Sequence, residues 1–470
     1  MHPFRMNAVL LCLLAFARGA SAQTGGTATT AREENGTGAA VRVSLPDAVS
    51  GALSRSPRLE SLRKRGLQAR ESGRELSLRR LPSLGARFQA TRGDGPVYSF
   101  GSLLQQRAFT AQDFALDRLN GPGYRTNLQS SLELGMPLFT GFELTEQAAL
   151  AHLAQAGVEE ALEGASQALR YESLSLFLSA LRAEGTARSL TERLISSKME
   201  VADASRLKDK GLVLGSDYYA AEAILASMEA WRQKVLGEAG AAAARLGVLL
   251  GRAGIAPTGT LNPGAYELQE EERSLSRALS ERRDLRLALD TEEGARVQQR
   301  RAARTLLPRV EAFAAVQTDS GDLSSAPSSR LLGVRAGFPF GDPAYGARRA
   351  GARAGVESAE AEREDLADHV RADLLQARRG HLAAAASLPL ARDAAGKARE
   401  SLELFRPLYR EGRQSVLDVL RAELALAQAE AAHLENLQAL HASYAALRLA
   451  EGSLDDAAVA AIGRNLEARP

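Results

Sequence analysis

The chain has 470 residues, with 59 Lys and Arg against 57 Asp and Glu, a single Cys and only 5% aromatic residues. Near-balanced charge leaves no basic footprint for nucleic acid, and one cysteine excludes a disulfide framework. A composition rich in Ala, Leu, Arg and Glu favours long helices over a large mixed core.

Taken in order, residues 1–22 read as a signal peptide. Arg5 begins a short basic region, Ala8 to Ala17 form an apolar core, and Ala20-Ser21-Ala22 gives a cleavage site before Gln23. Cys12 lies inside the apolar core without a small residue before it, so no lipid anchor is expected. Residues 23–45 are expected to be a flexible N-terminal segment. Beyond them no uncharged apolar run reaches the ~20 residues of a membrane helix. If the chain spans a membrane, it does so with strands.

The remainder is written twice. ALSRSPRL (52–59) aligns with ALSERRDL (278–285), LPSLGARFQATRG (81–93) with LPRVEAFAAVQTD (307–319), and MPLFTG (136–141) with FPFGDP (338–343). KGLVLGSDYYAAEA (210–223) aligns with EGRQSVLDVLRAEL (411–424). The first repeat, 46–252, is predicted as a helix over about Pro46–Arg80, a strand pair within 81–141 interrupted by an insert at 94–125, a long helix, a glycine tip at 210–215 and a return helix. A helix-breaking linker follows at 253–269. The second repeat, 270–454, predicts a helix over about Glu270–Leu306, a strand pair within 307–341, a long helix, a tip at 411–415 and a return helix. Residues 455–470 are left as a C-terminal tail. The first long stretch, Phe142 to Lys208, spans on the order of 100 Å as a helix and needs neighbours along its whole length. Pro389 and Pro407 are expected to kink the second.

In the strands, Leu132, Leu134, Met136 and Leu138 share one face, as do Leu84, Ala86, Phe88 and Ala90, and again Leu332, Val334, Ala336, Phe338 and Phe340. Period-two alternation fits a strand between lipid and water, and equally a soluble sheet packed on helices. Export and the lack of a spare helical face favour the membrane. Four strands cannot close a barrel, since small barrels need about eight, so several copies would each contribute four. The aromatic-bearing insert fits a barrel cap, a place at the lipid–water interface, or an ordinary long loop.

Two tandem halves of helix, hairpin, long helix, glycine turn and helix behind a signal peptide resemble the TolC-like outer-membrane efflux channels over roughly Leu45 to Asp455. The most specific points are Gly211-Leu212-Val213 with Ser216-Asp217, then Tyr409, Gly412 and Val416 to Val419, with Pro137 and Pro339 at strand ends. The resemblance implies a mainly α fold with a small β part. Tandem-duplicated helical hairpins would form an α-barrel, and four transmembrane strands per chain would contribute to a trimeric twelve-stranded β-barrel. It further implies a homotrimer in outer-membrane lipid that meets a periplasmic adaptor and an inner-membrane pump. The chain would be a passive exit duct for efflux or type I secretion, with no bond made or broken.

At the tips, Asp217 and Asp418 fall in the first helical turn, where acids complement the helix dipole, and Ser415 with Asp418 resembles a capping box. Repeated around an axis, such acids become rings that favour cations. The resemblance implies that Asp418 lines the closed mouth, that Tyr409 bonds to Asp217 beside Ser216, and that Gly211, Leu212, Val213 and Gly412 meet the adaptor. Gln414 replaces the family's basic tie, with Arg413 adjacent, and Arg421 replaces its second ring acid, giving a mixed Asp418/Arg421 constriction. The histidines after the leader show no metal spacing, no cofactor motif is present, and no nucleophile elbow, phosphate loop or dinucleotide fingerprint appears. The rival readings are a periplasmic coiled-coil adaptor or a structural interaction protein. The cargo is not legible.

Overall fold

A computed structural model describes residues 41–322 and 327–467. The expected signal peptide, and residues 23–40 of the expected flexible segment, lie outside the described residues. The last residues of that segment are ordered. Strand β1 (Val41–Val43) pairs in parallel with β4 (Ile255–Pro257) of the linker, and Leu45 is buried.

Each repeat opens on two helices where the sequence suggested one. Helix α1 (Leu45–Arg55) ends at Ser56, which caps α2 (Pro57–Leu78) by accepting the Leu59 amide at 3.3 Å. Pro57 disfavours helical geometry at Ser56, so the axis breaks there. The second repeat breaks at the matching position. Helices α7 (Glu271–Glu281) and α8 (Arg283–Ala303) meet at the extended Arg282, and the Asp284 carboxylate accepts the Leu285 amide at 2.9 Å. No proline stands there and Arg282 gives no side-chain cap; Asp284 in the first turn complements the helix dipole.

The strands β2 (Ser83–Gly93), β3 (Arg125–Phe139), β5 (Arg309–Ser320) and β6 (Ser328–Gly337) form one antiparallel sheet in that order. Pairing of β3 with β5 joins the two repeats, with Leu132 opposite Val316 and Leu134 opposite Ala314. This register lays the apolar sets on one face: Leu84 and Phe88, then Leu132 and Leu134, then Ala312 and Ala314, then Leu332 and Val334. The face is bare, with Leu84 71% and Leu332 83% exposed. The opposite face carries Arg87, Ser131, Glu133, Gln317 and Arg335.

The insert is folded. It contains α3 (Pro96–Gln105), a 3-10 turn (Ala111–Phe114) and α4 (Leu116–Asn120), with Phe100, Phe109 and Phe114 packed edge to face.

From the other end of the sheet the long helices depart. Helix α5 (Glu143–Asp209) has 67 residues and α9 (Tyr345–Arg410) has 66, each about 100 Å at 1.5 Å per residue. Helix α9 continues through Pro389 and Pro407 without interruption of the helix. The return helices α6 (Gly215–Leu250) and α10 (Val416–Ala450) pack beside them, and α10 also packs on α5, which joins the two hairpins. Among the described residues no helix is long and apolar enough to cross a membrane.

The largest core gathers Ala48 and Ala52 of α1, Leu174, Phe177 and Leu178 of α5, Leu246 of α6 and Leu437 of α10. The segment expected as a C-terminal tail adds to it. Helix α11 (Asp456–Arg464) is capped by Asp455 and buries Ala458, Val459 and Ile462 in this core. Gly251 closes α6 at φ +59, and a Cβ there would lie 2.0 Å from the Arg55 guanidinium. Glycine is therefore needed both for the left-handed cap and for the close approach.

The linker is also anchored by Tyr266, which stacks on Tyr444 at 4.0 Å between ring centres. The buried His441 has its Nε2 2.9 Å from the Asn262 carbonyl, so that nitrogen carries the proton. His441 Nδ1 therefore accepts from the Tyr266 hydroxyl at 2.5 Å. Burial holds His441 down to about 4, so it stays neutral. Tyr266→Phe should leave Nδ1 without a donor and lower stability by about 1–3 kcal/mol, read as a lower urea midpoint at unchanged m-value.

Candidate functional site

Both hairpins turn by the same device. At the first tip, Gly211 adopts φ +73 and the Leu212 amide reaches back to the Leu207 carbonyl at 2.9 Å. At the second, Gly412 adopts φ +71 and the Arg413 amide reaches the Leu408 carbonyl at 2.8 Å. These six-to-one closures satisfy end carbonyls and reverse the chain in a few residues. The repeated glycines are thus a backbone requirement.

The tips differ in what they present. Leu212 is 71% and Leu214 70% exposed, an apolar pair that no neighbour covers, while Val213 turns inward. The second tip is polar, with Glu411 and Arg413 paired at 3.4 Å and Gln414 half-buried. Ser415 accepts the Asp418 amide at 3.3 Å and donates to its carboxylate at 3.1 Å, the two halves of a cap around one residue pair. Asp217 has no such cap. Its carboxylate meets only the Ser216 hydroxyl at 3.4 Å.

Behind the glycines the hairpins lock together. Val201 and Ala204 of α5, Tyr218 and Ala221 of α6, and Val416 and Leu420 of α10 form one apolar cluster, with Tyr409 and Val213 against it. Tyr409 does not bond to Asp217 as the resemblance implied. Its hydroxyl is buried without a hydrogen-bond partner, and burial pushes it upward, aided by the charges of Asp203 and Glu200. Asp217 sits half-buried in the first turn of the return helix of the other hairpin. Arg421 lies one turn from Asp418, 3.7 Å between charged atoms, so the expected mixed acid–base pair exists within each chain. Arg421 is exposed and Asp418 half-buried, so the pair contributes little by itself.

A second group of functional side chains escaped the sequence reading. Glu423 is fully buried and takes a hydrogen bond from Arg406, while Arg193 stands 3.8 Å from its other oxygen. The same Arg406 lies 3.4 Å from Glu200. Helices α5, α9 and α10 thus share one charge cluster just above the tip, with Glu423 buried and Arg193, Glu200 and Arg406 half-buried. The duplicate of Glu423 is Glu222, which remains at the surface and accepts from the Tyr218 hydroxyl at 2.6 Å. The Ala-Glu repeat was visible in the sequence; which copy faces a neighbouring hairpin was not. Among the described residues no cluster of His, Cys, Asp and Glu is arranged to hold a metal ion.

Burial pushes the Glu200 carboxyl up to about 7, with the charge of Glu423 adding to the shift and Arg406 opposing it. Glu423 is also raised, by burial, against the pull of Arg406 and Arg193. An exposed glutamate titrates near 4.5, so between that pH and about 7 the folded chain holds a proton that the unfolded chain has released. Stability therefore falls as pH rises through this window. Glu200→Gln should be more stable than the parent at about pH 8 by on the order of 1–3 kcal/mol, and indistinguishable from it near pH 4. Paired denaturation curves at the two pH values measure this.

Residues 274–453 match the family model described as outer membrane efflux protein. No curated protein matches the sequence. Solved structures do match. The channel CusC superposes with a TM-score of 0.75 at 17% identity, covering 88% of this chain and 93% of its own. VceC of Vibrio cholerae gives 0.70 at 19%, covering 87% and 97%, and CmeC of Campylobacter jejuni 0.72 at 16%, covering 90% of each. The fold is thus that of the TolC-like channels along the chain, and the resemblance read from the sequence stands.

Proposed function

We propose that this TolC-like chain is the outer-membrane exit duct of a tripartite efflux or type I secretion system, assembled as a homotrimer that reaches from outer-membrane lipid into the periplasm. One observation carries the reading. A single sheet has an uncovered apolar face, a polar opposite face and two unpaired edge strands, β2 and β6. Backbone groups cannot stay unpaired in hydrocarbon, so the edges of neighbouring copies must join. Three copies give twelve strands, enough for a closed cylinder. Phe338 and Phe340, exposed just past β6 where the helices begin, suit the lipid–water boundary on the periplasmic side.

The rival adaptor reading calls for one hairpin between sizeable β domains. The two hairpins and one exposed sheet described here favour the duct. Transport through it is passive: the pump supplies the work and this chain supplies the path. The bare Leu212 and Leu214 flanking Gly211 and Val213, with Gly412 at the second tip, form the surface offered to a periplasmic adaptor. Asp217 with Ser216, and Asp418 with Arg413, Gln414 and Arg421, line the periplasmic mouth. Tyr409 contributes packing between the hairpins and not a hydrogen-bonded tie. Opening then requires separating the apolar cluster and the contacts of Arg193 with Glu423 and of Arg406 with Glu200, which join the hairpins.

Leu332→Arg on the apolar face should cost about 2–4 kcal/mol and reduce trimer in outer-membrane fractions, whereas Ser131→Arg on the polar face should leave trimer yield unchanged. In planar bilayers Arg421→Asp should raise cation over anion permeability by adding a second carboxylate ring, measured as a shift in reversal potential under a salt gradient. Tyr409→Phe should leave the resting conductance unaltered. A rise would restore the hydroxyl as a gate tie made between subunits.

A further inference from the structure

The insert between β2 and β3 lies on one face of the sheet only. Tyr98 donates to the Thr91 carbonyl at 2.9 Å, and a Cβ on Gly93 would meet the Tyr98 ring at 3.2 Å. Gln106 donates to the Thr126 carbonyl at 2.9 Å and to the Asn127 side chain at 3.0 Å. Arg107, held at φ +53, donates to the Ser328 carbonyl at 3.0 Å. The insert therefore reaches from β2 across β3 to the start of β6. Thr91, Gly93 and Asn127 belong to the set that includes Arg87 and Ser131, the polar face. Beneath the insert, Asn127 and Asp319 are buried and hydrogen-bonded to each other at 2.8 Å.

We infer that residues 94–125 form an inward-folded plug that narrows the outer mouth of the duct and sets the size of what can pass. The inference rests on the trimeric-channel reading, in which the polar face lines the lumen. The insert lies at the end of the sheet away from the long helices, so it occupies the mouth that opens outside the cell. Twelve strands about 4.8 Å apart and tilted about 40° enclose a cylinder roughly 24 Å between backbones. A helix with its side chains is about 10–12 Å across, so three inward helices leave little open section. The edge-to-face packing of Phe109 on Phe100 and Phe114, at 4.8 and 5.0 Å, makes each plug a compact body. A place at the lipid–water interface does not fit, because that position would put the insert on the apolar face.

The test reads access from outside the cell, which the periplasmic gate does not affect. Ser131→Cys places a thiol on the polar face about four residues below Asn127, and Leu132→Cys places one on the apolar face. The one natural cysteine, Cys12, lies in the expected leader. Intact cells are treated with a small charged maleimide and with a bulky polyethylene-glycol maleimide. With the insert present, the small reagent should label Ser131→Cys and the bulky one should not. Replacing 94–124 by an Asn-Gly turn should equalise the two rates. Gln106→Ala, which keeps the insert but removes two of its bonds, should speed bulky labelling on the order of tenfold. Bulky labelling at full rate with the insert intact would overturn the plug, as would exclusion that persists when the insert is removed or Gln106→Ala without effect. Leu132→Cys should react with neither reagent. Equal labelling at positions 131 and 132 would overturn the barrel itself, an outcome distinct from failure of the plug.

Discussion

An unpaired sheet edge is intolerable in hydrocarbon, and this constraint governs the rest of the molecule. The chain makes a four-stranded sheet whose apolar face is bare and whose outer strands, β2 and β6, each keep one row of free amides and carbonyls. In water such a sheet would aggregate, and in lipid it must find partners. Joining β2 of one copy to β6 of the next satisfies both edges and sends the polar face inward. On the proposed reading, the oligomer is thereby a condition of the sheet's existence.

The helices inherit the arrangement. Each strand pair hands the chain to a helix of about 100 Å, and such helices are stable only with lateral neighbours. Within one chain α10 bridges the hairpins, and the α1–α11 core braces them midway. Near the tips the bracing changes character. Apolar packing is joined by the buried Glu423 and the half-buried Glu200, Arg406 and Arg193, a cluster several of whose polar atoms lack hydrogen-bond partners. The outer end follows a different logic, with an added body laid across the polar face.

Much of this was legible in the sequence. Alternation in SLELGMPLF and RLLGVRAGFPF identified the strands and their apolar face, although β6 ends at Gly337 and leaves Phe338 and Phe340 beyond it. Duplication located both tips, since only glycine closes them at positive φ. What stayed hidden depended on tertiary neighbours. The break at Ser56 was written in Ser-Pro, whereas the matching break falls at the extended Arg282 with no proline to announce it. The Ala-rich stretch that became α11 carries a weak helical signal of its own and is fixed by the core beneath it. Glu423 and Glu222 are equivalent in sequence, and the packing of α10 on α5, which brings Arg193 beside Glu423, separates a buried charge from a surface acid. The Tyr409–Asp217 bond came from family likeness, and in this chain the tyrosine faces the interior instead.

The most direct measurement is a cross-link across the proposed seam. One cysteine on β2, at Gln89, is combined in turn with cysteines along β6, at Leu331, Gly333 and Arg335, and envelopes are oxidised and run under non-reducing denaturing conditions. The account predicts that one register forms covalent dimers and then a closed species of three chains, with nothing larger. A water-soluble monomer with no cross-link at any register, or an open ladder continuing beyond three, would contradict it.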